Sequence, residues 1–183
     1  MFDRRARILL TGVATALVVA APAQANSACP GASTDPQTLG ARKAAQVAAC
    51  LVNVERAKRG LPALRVNYRL ARTARSYAYT MVHRRFFDHV SPSGTTPLAR
   101  IKATGYLRHA RGWSVGENLA WGTGELATPE SIVHSWMMSP GHRANILRRG
   151  FREFGMGVQI GAPVDLYDDE VGGTYATSFG SRG

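Results

Sequence analysis

An α+β fold, with an antiparallel sheet covered by helices, follows from the order of two periodicities along the chain. Apolar residues recur at helical spacing through about residue 138, and strand-like alternation takes over after residue 153. Glycine, proline and capping residues mark the joints between these segments.

The first helix spans 39–59 on the spacing of Val47, Leu51 and Val54, and Gly60 and Pro62 end it. A second begins after Asn67, a capping residue, and runs to about Arg84 with a buried stripe of Leu70, Ala74, Tyr77, Ala78 and Met81. Phe86 and Phe87 close it, and His89 follows in the polar loop DHVSPSG. Thr96-Pro97 opens a third helix that ends near Gly105, with proline at its first position. Residues 108–127, with GENLAWGTG at their centre, read as irregular. Thr128-Pro129-Glu130 opens a fourth helix through Met138. Ser139-Pro140-Gly141 then reads as a break that leaves His142 on a tight turn before one more helical turn, 143–147. FGMGVQIG (154–161) and TYATSFG (174–180) alternate as strands, with an acidic turn at 165–170 between them.

The N-terminus has the form of a secretory signal: basic MFDRRAR, apolar ILLTGVATALVVAA, and Ala23-Gln24-Ala25 as the cleavage site. The apolar run is short for a membrane span of about 20 residues. Cleavage after Ala25 is expected, which divides the chain into a signal peptide (1–25), an N-terminal arm (26–38) and one domain (39–183). Loss of Asp3, Arg4, Arg5 and Arg7 lowers the net charge from +11 to +9. Outside a cell that charge favours anionic lipid, envelope polymer or acidic glycan. No nucleic-acid-binding signature accompanies it. Cys29 and Cys50 form an even pair in an exported chain, which suggests a disulfide. A metal pair is the alternative, against which the long spacing argues.

Three segments can carry chemistry: Phe87-Asp88-His89, Gly116-Glu117-Asn118-Leu119 and Gly141-His142. Two histidines and a carboxylate suffice for an open divalent-metal site. They equally suffice for general acid–base work, and each histidine alone also reads as a hydrogen-bonded structural group. His83 and His134 fall on helices, and His109 in a basic loop. Trp121 and Trp136 read as core anchors, Trp113 as a residue that could face a ligand, and Asn118 as a brace for loop backbone. Ser91, Ser93 and Ser139 lie near the histidines, but no G-x-S-x-G elbow supports a serine nucleophile.

CLVNVERAKRGLPAL resembles the first helix and turn of bacterial CAP-superfamily domains, the SCP/PR-1-like or cysteine-rich secretory proteins. FFDHVSPSGTTPLARIKATGY, VGENLAWG, TPESIVHSWMMSPGHRANIL and FGMGVQIG follow in that family's order, so the resemblance covers about residues 45–180. It implies a three-layer α-β-α sandwich with a central antiparallel sheet. It also implies a cleft lined by two histidines and two acidic residues, in some members holding zinc. His89, Glu117 and His142 match three of those positions, and Ser139 stands where the second acidic residue usually lies. The metal set would be His89, His142 and Glu117, with zinc weakly bound.

The expected function is a secreted binding module, monomeric, with at most peripheral membrane contact. Its cleft (His89, Glu117, His142, Ser139) would take a divalent cation or a small or lipidic ligand, and its surface an anionic envelope polymer. No nucleic-acid partner is expected. The alternative is a metal-assisted or acid–base hydrolase with Glu117 as general base. A third reading makes the cluster a folding staple.

Overall fold

The computed structural model describes residues 28–166 and 171–183. The expected signal peptide with its cleavage after Ala25, the first two arm residues and residues 167–170 of the acidic turn lie outside the described residues. The elements in chain order are α1 (Pro36–Leu39), α2 (Ala41–Ala57), β1 (Arg65–Val66), α3 (Tyr68–Arg84) and α4 (Pro97–Ala103). Then come β2 (Trp113–Thr123), a 3-10 turn (Gly124–Ala127), α5 (Pro129–Met138), α6 (Pro140–Leu147), β3 (Glu153–Ile160) and β4 (Gly172–Arg182).

The sheet order is β1-β3-β4-β2. β4 is central and antiparallel to both long neighbours, while two-residue β1 joins β3 in parallel at the edge. Helices α2, α5 and α6 cover one face, where Val47, Leu51, Ile132, Trp136 and Ile146 meet Phe154, Met156, Val158, Tyr175 and Phe179. On the other face α3 sets Ala74, Tyr77, Ala78 and Met81 against Leu119 and Ala176. Alternation in β3 explains how close α3 lies. The residues between its core side chains are Gly155 and Gly157, where an added Cβ would stand 1.9 Å from Ala71 N and 2.2 Å from Arg75 N. The helix backbone rests on the strand itself.

Local chemistry sets the helix starts. Asn67 accepts from the amides of Arg69 and Leu70, Thr96 from Ala99, and Thr128 from Ser131. Two expectations are corrected. Residues 113–123 of the supposedly irregular stretch form β2, paired with β4 through eleven positions from Trp113↔Arg182 to Thr123↔Gly172. His142 is not on a turn: Ser139 ends α5, Pro140 starts α6, and His142 lies in that helix's first turn. Proline at a first helical position lacks only an amide that has no intrahelical partner there.

The arm is built into the domain. Cys29 and Cys50 are disulfide-bonded, Cys29 and Ala32 are buried in the larger core, and Glu130 N donates to Ala32 O. Arg56, fully buried, donates to the carbonyls of Pro62, Ile146 and Arg148, which fixes the end of α6 against α2.

Candidate functional site

Strand alternation places the site. In β2, Val115, Glu117 and Leu119 point toward α3 and α4, so the Glu117 side chain is carried into the interior with two apolar neighbours. Its side chain is only 2 % exposed. A carboxylate so placed needs a cation or several donors. Arg100 of α4 supplies both: Nη2 donates to Glu117 Oε2 at 2.8 Å and to Oε1 at 3.0 Å. The same nitrogen donates to the His89 carbonyl, and Nη1 donates to Thr95 O. The guanidinium stacks on Tyr77, its carbon 3.2 Å from the ring centroid. Tyr77 in turn donates its hydroxyl to Asp88 O, and burial pushes that phenol up to about 12.

His89 completes the group, with Nδ1 donating to Glu117 Oε1 at 2.9 Å. That bond to a carboxylate raises the histidine above its ordinary range, against the opposing effect of partial burial. Half of the His89 side chain is exposed. A groove of about 440 Å³ between α3 and α4 reaches this cluster through Tyr77 and Arg100, and Thr73, Ser76 and Thr80 add hydroxyls to its wall.

From the opposite face of β2, Asn118 reaches the backbone of the second histidine. Asn118, fully buried, donates through Nδ2 to the His142 carbonyl at 3.0 Å. Asn145 donates to Asn118 Oδ1 and to Glu117 O. The expected bracing role of Asn118 is met, and the backbone it braces belongs to α6. Burial, reinforced by the charge of His89, lowers His142 below the ordinary histidine range. The structure thus joins His89 to Glu117 directly, while His142 is linked to them through backbone and through charge. Ser139 serves at the α5–α6 junction.

The remaining residues sort as follows. His83 stacks on Tyr79, and His134 and His109 are exposed. Ser91 and Ser93 share a hydrogen bond within their turn. Trp136 is buried and donates to Leu119 O, Trp121 is half-buried, and Trp113 is 47 % exposed.

Sequence comparison now decides the family. The cysteine-rich secretory protein (CAP) family matches residues 50–166. The chain belongs to the CAP family. Protein YkwD of Bacillus subtilis, itself uncharacterized, is 38 % identical over 107 residues, which is 58 % of this chain and 39 % of that protein. The chain therefore spans well under half the length of that relative. Among solved structures, an extracellular SCP-domain protein from Bacillus anthracis superposes with a TM-score of 0.58 at 24 % identity. That match covers 76 % of this chain and 40 % of the other. An outer surface protein of Borrelia burgdorferi also gives 0.58, at 22 % identity, over 75 % of this chain and 92 % of its own. These likenesses establish the shared fold.

In this CAP domain the donor set does not fit a divalent cation as it stands. Both Glu117 oxygens are held by Arg100, and one of them also by His89. Among the described residues no three His, Cys, Asp or Glu side chains are gathered in metal-binding reach. Sequence reasoning missed Arg100: a carboxylate alternating with Val115 and Leu119 calls for a buried cation, but nothing in the sequence distinguishes Arg100 from Lys102 of α4 as its partner.

Proposed function

We propose that this CAP domain is an exported binding module that works at the cell envelope or outside the cell. The carrying observation is the Arg100–Glu117 pair. A general base needs a carboxylate lone pair open to water, whereas Glu117 is buried and spent on Arg100 and His89. That weighs against the hydrolase alternative. The disulfide and the signal-like N-terminus support export. A small ligand would enter the groove beside Tyr77 and Arg100, and zinc would bind weakly because it must displace Arg100. Anionic envelope material is the natural macromolecular partner of the strongly basic surface.

The test pairs binding with turnover. Purified protein should sediment with anionic vesicles or with cell wall at low salt and lose that association at high salt, since exposed charges are screened over about 8 Å at physiological ionic strength. The same preparation should hydrolyse neither casein nor dye-labelled peptidoglycan. Turnover that Glu117→Gln abolishes would overturn this reading in favour of a hydrolase.

A further inference from the structure

Several cations gather at one end of the sheet. Register brings Trp113 beside Arg182, Glu153 beside Gly180, and Arg65 beside Glu153. The start of α3 and the end of α4 arrive at the same place. There Arg69 donates to Gly105 O, Arg72 donates to Thr104 O, and Lys102 Nζ lies 5.9 Å from the Trp113 ring centroid. Glu153 adds little free negative charge to this end. It accepts from Asn67 and Tyr106 and lies 3.6 Å from Arg182. The far end of the sheet, where Thr123 pairs with Gly172, leads instead to Glu125.

Exposed apolar groups stand among these cations. Tyr68 is 66 % exposed and Trp113 47 %, and Arg69 links Tyr68 to Gly105 by donating to both. A groove of about 320 Å³ has Ala103, Gly105 and Leu107 along it, with Lys102, Arg108 and the Trp113 indole at its walls. A polyanion in water would be served by the charges alone. Two exposed aromatic side chains near the same charges suit a surface that is anionic outside and apolar just beneath. That is the layering of a phospholipid bilayer, where aromatic rings settle at headgroup depth and each nearby cation adds attraction.

We propose that this end of the sheet is a docking surface for an anionic phospholipid bilayer. A headgroup phosphate sits between Lys102 and Arg108, and Trp113 and Tyr68 enter the interface. The contact is peripheral, as no helix among the described residues is long and apolar enough to cross a membrane. The inference rests on the envelope-binding reading and narrows it to one surface and one partner.

Flotation with phosphatidylcholine vesicles, with and without phosphatidylglycerol, tests it. Wild type should float only with the anionic vesicles, and its tryptophan emission should shift to the blue. Lys102→Glu with Arg108→Glu should weaken flotation by at least about tenfold, given the attraction each cation contributes. Trp113→Phe should remove the blue shift. The control pair Arg42→Glu and Lys43→Glu, exposed at the start of α2, should change flotation little. Equal losses from both charge reversals would overturn the docking surface while leaving envelope binding intact. So would wild-type binding to cell-wall polymer but not to vesicles. Binding to neither would defeat both proposals.

Discussion

Glu117 and Asn118 are consecutive residues of one strand, and each organises a different histidine. On the α3 side everything is charged: Glu117 holds Arg100 and His89, and a tyrosine face lies under the guanidinium. On the α6 side everything is neutral: two amides hold each other and the His142 backbone. The period of two in a strand is enough to create this contrast. It puts two histidines of one site under opposite pressures, one favouring the proton and the other resisting it.

The sharpest way to break the contrast is to remove its cation. Arg100→Met leaves Glu117 buried without its charge partner and should cost about 3–5 kcal/mol in urea unfolding. Adding Glu117→Gln should recover part of the loss, because the two residues act as a pair. A loss from the single variant below about 1 kcal/mol would put this pair among ordinary surface ion pairs. The neutral side should yield less. Asn118→Ala strands the His142 carbonyl and an Asn145 amide, at a cost of about 1–3 kcal/mol in the same assay. The His142 ring signals should move and those of His89 should stay.

Titration gives the smallest effect and separates the two sides most finely. Followed by NMR, His89 should titrate above the ordinary histidine pKa of about 6.5 and His142 below it. The stability signs are therefore opposite. The His89 contribution is fully present below its unfolded pKa and is lost as pH rises through the higher folded value. The His142 contribution is present above its unfolded pKa and is lost as pH falls through the lower folded one. Coincident titrations would erase the distinction between the two faces.

Much of this architecture is legible in local sequence. The α3 stripe from Leu70 to Met81 is buried throughout, and the caps Asn67, Thr96 and Thr128 all function, because helix spacing and capping are short-range effects. What failed needed distant partners. GENLAWG carries loop-like glycines, and it becomes a strand because β4 supplies a complete ladder of bonds. Gly116 also fits closely there, since a Cβ would stand 3.0 Å from both Asn145 and Phe151 side-chain atoms and these would have to shift. Ser139-Pro140-Gly141 reads as a stop, yet the proline begins a helix, and only the packing of α6 on β2 decides between those uses. His89 and Glu117 were recognisable as chemical groups. Their cation was not, because nothing adjacent to Arg100 in sequence announces a carboxylate seventeen residues later.

We propose that Arg100 takes up the Glu117 oxygens that a metal ion would otherwise use. Zinc titration by calorimetry at neutral pH, on wild type and on Arg100→Gln shown by circular dichroism to be folded, tests it most directly. Weak binding is predicted for wild type and at least about tenfold tighter binding for the variant, within the range by which neighbours of metal ligands change affinity. Adding His89→Ala should remove the gain. Tight wild-type binding that Arg100→Gln leaves unchanged would contradict the claim.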